Sequence, residues 1–229
     1  NYGVRSAVGT GEGRTVGTSV TVIVPTFNER ENVAELVART AVALAGYDAE
    51  ILFVDDSTDS TAAEVERVAA DAPLPVRVIH RTDNTGGLGG AVAVGLEAAA
   101  SDLCIVMDGD LQHPPELLPA LVRRHDEGDA DVVAASRYIG GGDMSGLGTA
   151  VRFGVSRSAT WLTRAMFPIR LARSTDPMTG FFLVDRSRLD LSALRPQGFK
   201  ILLEILARTD LRIAEAVSYT HLTLPTNRE

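Results

Sequence analysis

The sequence predicts an α/β fold, an open and mostly parallel sheet flanked by helices, and three observations carry the prediction. Uniformly apolar, β-branched runs such as VTVIVP, AEILFV and DLCIVM are what strands buried on both faces of a parallel sheet require. Between them lie stretches whose apolar residues recur at three and four, the period of an amphipathic helix. Strand and helix alternate five times over short connections, the pattern of right-handed βαβ crossovers. Such sheets bind ligands at the carboxyl ends of their strands, and the polar residues of this chain collect just after the strands.

In chain order, residues 1–18 are mostly Gly, Thr, Ser and Val with neither period, and are expected to be a mobile leader. The first strand begins at Ser19 and stops at Pro25. Asn28 and the acidic residues after it are expected to cap a helix in VAELVARTAVALA. AEILFVDD is the second strand, and the Ser and Thr residues of STDSTAAEVERVAADA open a second amphipathic helix. VRVIHR is the third strand, TGGLGGAVAVGLEAAA a glycine loop running into a helix, and DLCIVMDGD the fourth strand. PPELLPALVRRHDEG places proline in the first turn of a helix, where its missing N–H is no loss, and DVVAASR follows as a strand. Beyond Arg137 the character changes. YIGGGDMSGLG reads as a loop, VRFGVSRSATWLTRAMFPIRLARS as a basic amphipathic stretch with five arginines, DPMTGFFLVDR as a candidate returning strand, FKILLEILAR as a helix and RIAEAV as a strand.

The composition bounds the function. With 229 residues, 45% hydrophobic and 23% charged, the chain has material for one sizeable core and is not a disordered, collagenous or coiled-coil sequence. Lys and Arg number 22 against 30 Asp and Glu, a net charge of −8, which argues against non-specific nucleic-acid binding and leaves room for a local basic pocket. The single Cys104 lies inside LCIVM and reads as a small buried hydrophobe, so no disulfide framework or cysteine-rich metal site is expected. No segment reaches the ~18 uninterrupted apolar residues of a membrane-spanning helix. The start of the chain lacks the basic region and apolar run of a signal peptide. The expected setting is cytoplasmic, with peripheral membrane contact left open.

Asp108, Gly109 and Asp110 end the fourth strand. In extended chain residues two apart face the same way, so both carboxylates would point into one site, with Gly109 allowing close backbone approach. Two carboxylates with no His or Cys donor suit Mg²⁺ or Mn²⁺ shared with a substrate diphosphate; a solvated turn is the competing reading. Asp55 and Asp56 end the second strand in the same way and bring four carboxylates to one edge, unless one of them caps the following helix. The loop from Thr85 to Gly90 either exposes backbone N–H groups to a phosphate, or packs backbone tightly or lines an acceptor channel. His113 is either a ligand or base, or it orders its loop. Arg137, Arg152, Arg157 and Lys200 are candidates for gripping phosphates, since guanidinium forks match phosphate oxygens, against ordinary surface charge.

VIVPTFNERENV, FVDDSTDST, GGLGGAVAVGL, VMDGDLQHPPELLPAL, ASRYIGGG, DPMTGFF and GFKILLEIL, in this order and spacing, resemble family 2 glycosyltransferases of the dolichyl-phosphate or polyprenyl-phosphate mannose synthase type. The likeness spans about residues 20–217, so a single glycosyltransferase domain over residues 19–217 is expected. The resemblance implies the GT-A fold, a Rossmann-like nucleotide-binding sheet. It also implies that Pro25, Phe27 and Glu29 border the nucleotide, with Val54 and Asp56 at its base and ribose. Phe27 stands where Tyr is more usual. The resemblance makes Asp108 and Asp110 the metal and diphosphate carboxylates and Gln112 their neighbour. It puts Arg137, Arg152 and Lys200 at the phosphates, with Arg157 the rival of Arg152.

The implied reaction moves a hexose, mannose favoured, from a nucleoside diphosphate sugar such as GDP-mannose to a polyprenyl or dolichyl monophosphate, with inversion. The catalytic set is then Asp108, Asp110, Arg137, Arg152 and Lys200, with Mg²⁺ or Mn²⁺ as cofactor. The Arg-rich stretch 151–173 would meet the lipid at the inner face of the cytoplasmic membrane, or form a helix with a basic outer face. The last residues, SYTHLTLPTNRE at 218–229, depart from the family pattern and are expected to be non-native. Two alternatives stand beside this reading: a related transferase using UDP-glucose or another acceptor, and a non-catalytic sugar-nucleotide-binding module.

Overall fold

The computed structural model describes residues 18–136, 179–195 and 200–217. The strands are β1 (Ser19–Thr26), β2 (Asp48–Asp55), β3 (Val76–His80), β4 (Leu103–Val106), β5 (Val132–Ser136), β6 (Phe182–Asp185) and β7 (Ile213–Val217). The helices are α1 (Val33–Ala43), α2 (Thr61–Ala69), α3 (Gly87–Ala98), α4 (Leu118–Asp126) and α5 (Ile201–Arg208). All seven strands join one sheet in the order β3-β2-β1-β4-β6-β5-β7. β1, β2, β3 and β4 run parallel, as does the β5–β7 pair. β6 is antiparallel to both of its neighbours, β4 and β5. The segment predicted as a returning strand therefore inserts between two strands that are consecutive in sequence.

Period-two alternation divides the core. Val20, Val22 and Val24 of β1, with Ile51 and Phe53 of β2, face one layer, where Leu36 and Val37 of α1, Val65 of α2 and Leu118 and Leu121 of α4 close over them. Ile23, Leu52 and Val54 face the other layer, together with Val92 and Leu96 of α3 and Ile201, Leu202 and Ile205 of α5. Each such fully buried side chain is worth about 1.5–3 kcal/mol of transfer free energy. Cys104 is buried among them, as expected, and burial pushes its thiol up to about 12.

The chain runs from β1 outward to β2 and β3, then crosses to β4 on the other side of β1. The carboxyl ends of β1 and β4 thus border a topological switch point, where open α/β sheets leave a crevice. Among the described residues no helix is long and apolar enough to cross a membrane. Arg137, Arg152, Arg157, the Arg-rich stretch, the leader as far as residue 17 and the tail 218–229 lie outside the described residues.

Candidate active site

A cleft of about 540 Å³ opens at the switch point. Pro25, Phe27 and Glu29 line it from the end of β1, Asp56 from the end of β2, and Asp108, Gly109 and Asp110 from the turn after β4. The first turn of α3 supplies Gly87, Leu88 and Ala91. Seven of the residues singled out in the sequence are therefore walls of one cavity. The Phe27 ring stands at 58% exposure, an unusual position for a large apolar side chain and one open to stacking.

The Asp108–Asp110 turn is shaped by backbone. β4 ends at Val106, so the two carboxylates stand on a turn and not on extended strand. Leu111 holds φ at +58°, a left-handed conformation that costs a residue with a Cβ about 1–2 kcal/mol. The bend lets the Gln112 N–H donate to Asp110 Oδ1 at 3.0 Å. Across from it, a Cβ on Gly180 would sit 2.3 Å from Asp108 Oδ2, so the glycine lets the start of β6 approach that carboxylate where it stands. Gly180 belongs to the DPMTGFF motif but was not expected at the site; its signal was the glycine itself. The Gln112 side chain is exposed. His113 is buried with its ring 5.1 Å from Phe181 and tilted 44°, a packing that fits the loop-ordering alternative.

The second carboxylate pair divides. Asp56 reaches the cleft, whereas Asp55 is fully buried and accepts from Thr26 Oγ1 (2.9 Å) and Ser57 Oγ (2.5 Å), with His80 Nδ1 at 2.8 Å from its other oxygen. Three carboxylates of the expected four thus line the cavity, and the fourth ties the ends of β1, β2 and β3 beneath it. Neither caps α2, because the Thr61 N–H at its start donates to Asp59 Oδ1 at 2.9 Å. Asn28 does not cap α1, which begins at Val33 behind a 3₁₀ turn at Arg30–Asn32. With φ of +58°, Asn28 instead donates its N–H to Ser57 Oγ (2.7 Å) and accepts the Thr58 N–H (3.1 Å), fastening the loop of Phe27 to the loop of Asp56.

Val54, expected at the base, is fully buried in the second core layer: strand alternation turns it toward α3, below the cleft floor. Lys200 is half-buried at the N-terminal end of α5 and, like Gln112, is not among the described residues lining the cleft. Arg81, which no sequence motif singled out, grips Asp56 through Nε (2.6 Å) and Nη2. A lone cation at the end of the third strand was its signal. In the glycine loop a Cβ on Gly90 would lie 2.1 Å from the Thr85 carbonyl oxygen, so tight backbone packing is the alternative the structure supports there.

Among the described residues no group of three or more His, Cys, Asp or Glu side chains could hold a metal by itself. Asp108 and Asp110 offer an all-oxygen pair whose shell a diphosphate and water would have to complete, the donor set that suits a hard divalent cation.

Three comparisons bear on this cleft. The model of the family described as "Glycosyl transferase family 2" matches residues 21–191. The dolichol-phosphate mannosyltransferase of Pyrococcus furiosus is 40% identical over 190 residues, which are 82% of this chain and 52% of that protein. Its Saccharomyces cerevisiae counterpart is 34% identical over 197 residues, 83% of this chain and 70% of that one. The chain thus spans about half the length of the archaeal relative. Among solved structures, the Mycobacterium tuberculosis glucosyl-3-phosphoglycerate synthase superposes with a TM-score of 0.65 at 21% identity, covering 93% of this chain and 76% of that one. That enzyme has been crystallised with Mn²⁺ and UDP-glucose and with Mg²⁺ and UDP. The likeness establishes the GT-A fold.

Proposed function

Because the chain belongs to glycosyl transferase family 2, we propose that its cleft binds a nucleoside diphosphate hexose and that the enzyme transfers the sugar, with inversion, to a polyprenyl monophosphate. GDP-mannose and a dolichyl-type lipid are the favoured pair, on the strength of the 40% identity to the archaeal mannosyltransferase. The observation that carries the reading is one cavity that joins an exposed aromatic ring and Asp56 on one side to Asp108 and Asp110 on the other.

Phe27 would stack on the base, Pro25 and Glu29 would border the nucleotide and Asp56 would accept from base or ribose. Asp108 and Asp110 would hold Mg²⁺ or Mn²⁺ together with the diphosphate. The cation, when bound, supplies charge neutralisation for the departing nucleoside diphosphate. Arg137, Arg152 or its rival Arg157, and Lys200 would balance the phosphates of donor and acceptor. An acceptor phosphate has a second pKa near 6, so it is already largely an anionic nucleophile at neutral pH and needs no strong general base. The work left to the protein is to hold two anions in contact distance, which is positioning and electrostatics. The lipid acceptor would draw the chain to the inner face of the cytoplasmic membrane.

The test is direct. Purified protein is incubated with Mg²⁺ or Mn²⁺, a short polyprenyl phosphate, and either GDP-mannose or UDP-glucose, and the product is read by mass spectrometry. A lipid-phosphate mannose that disappears on chelation is the expected result. A glucose product moves the donor assignment, and turnover that survives chelation removes the metal from it. Nucleotide binding without transfer to any acceptor favours the binding-module alternative.

A further inference from the structure

We infer that Arg81 is a positioning residue for the donor site: it acts through Asp56, and it locks the nucleoside side of the cleft to the start of α3. The inference rests on the nucleotide-sugar reading of the cleft and goes beyond it. Arg81 is not among the residues that line the cavity, but Asp56 and Gly87, which it grips, are. Its Nε and Nη2 take both oxygens of Asp56, and its Nη1 and Nη2 donate to the carbonyls of Thr85 (3.2 Å) and Gly87 (3.1 Å). Asp56 stands on the loop after β2 and Gly87 on the first turn of α3. One guanidinium therefore joins two elements that share no strand pairing at that point. A fork of five donors in fixed geometry can do this, and a lysine cannot.

The surroundings are built for the clamp. The Arg81 N–H donates to the Asp55 carbonyl at 2.8 Å, which fixes where its side chain starts. A Cβ on Gly90 would crowd Arg81 Nη1 at 3.0 Å as well as the Thr85 carbonyl, so the glycine keeps room for the guanidinium. The two side chains are only 10% (Arg81) and 9% (Asp56) exposed. An ionised carboxylate has about four acceptor directions, and the fork occupies two of them, leaving capacity for a hydroxyl or N–H of a nucleoside. Without Arg81, Asp56 would lose its fixed orientation, and the α3 wall would lose its tether.

The experiment measures GDP and UDP affinity by calorimetry and donor KM against kcat for wild type, Arg81→Ala and Arg81→Lys, with Tm recorded for each. Arg81→Ala is expected to weaken nucleotide binding and raise donor KM by roughly tenfold or more, the usual scale for a charged hydrogen-bonded pair. Its kcat at saturating donor should stay within about threefold, since Asp108 and Asp110 are untouched. Arg81→Lys should fall between and decides the matter if Arg81→Ala does not fold. In an Asp56→Asn background, Arg81→Lys should add little further loss, because the effect runs through Asp56. Arg212→Gln, which breaks a similar Arg–Asp fork away from the cleft, should lower Tm and leave affinity alone. Folded Arg81 variants with unchanged affinity, or with kcat lost at unchanged KM, overturn the inference alone. Wild type that binds neither nucleotide overturns the functional reading and this inference with it.

Discussion

The two edges of the sheet use the same residue types for different ends. At the amino edge, Glu50 accepts from Thr21 Oγ1 (2.8 Å), from Arg77 (3.0 and 3.1 Å) and from the Ala100 N–H (2.9 Å). Burial opposes the ionisation of Glu50, yet these donors hold its carboxyl below the usual range. Asp131, before β5, takes the fork of Arg212, before β7, and the Arg212 N–H as well. Charge there serves to join neighbouring strands. At the carboxyl edge, Asp110 accepts the Gln112 N–H beside the left-handed Leu111, Asp108 faces Gly180, and both carboxylates line a cavity. The contrast is one of place: the amino-edge carboxylates are engaged by cations across neighbouring strands, whereas Asp108 and Asp110 face a cleft where a ligand can reach them. Asp56 stands between the classes, framed by Arg81 and still facing the cleft.

The largest expected effect separates the edges most sharply. Asp110→Asn removes one charge from the proposed cation pair and should lower kcat by at least ~10²-fold, the scale of losing a several-kcal/mol electrostatic contribution. Its Tm should stay level or rise, because relieving like-charge repulsion in the turn removes no partner from the frame. Steady-state kinetics beside a thermal melt checks both; activity close to wild type would place Asp110 with the framing carboxylates.

Gly180→Ala tests the scaffolding itself and ranks next. The new Cβ would collide with Asp108 at 2.3 Å, so the carboxylate or the start of β6 must shift. A displacement near 1 Å at a reacting centre costs up to ~10²-fold, and a loss of roughly 10- to 100-fold in kcat is expected, with Tm lowered by overpacking. Full activity at reduced Tm would show that Asp108 does not need the place the glycine gives it.

This division also explains what the sequence made legible. The alternation of VTVIVP, AEILFV and DLCIVM with amphipathic helices sufficed for the parallel half of the sheet, since strand burial and crossover handedness are local signals. The insertion of β6 between β4 and β5 was not readable, because which strands become neighbours is settled by packing far along the chain. Asp108, Asp110 and Asp56 were legible as carboxylates just past strand ends, and Phe27 through the resemblance; all four line the cleft. Val54 was also carried over from the resemblance, and period two turns its side chain into the core. Arg81 was missed because its meaning depends on pairing the ends of β2 and β3, where Asp55 lies in register with His80 and the next residues carry the clamp.

The smallest effect belongs to the amino edge, and it has a pH signature. Arg212, hydrogen-bonded to Asp131, draws that carboxyl from its ordinary 3.8 to about 2. A folded value below the unfolded one stabilises the native state above the unfolded pKa and is lost as pH falls through the folded one. The pair's contribution is therefore full at neutral pH and fades between about 4 and 2. Because the Arg212 side chain is 51% exposed, solvent screening keeps that contribution small. Arg212→Gln should lower Tm by no more than about 2–4 °C at pH 7, the scale of a weak surface pair in a domain of this size. The wild-type and variant melting curves should converge as the pH is taken down toward 2, while nucleotide affinity at pH 7 stays the same in both. A gap that persists undiminished in acid would mean that Arg212 stabilises through its packing and not through the Asp131 charge; a change in nucleotide affinity would mean that the two edges are not separable.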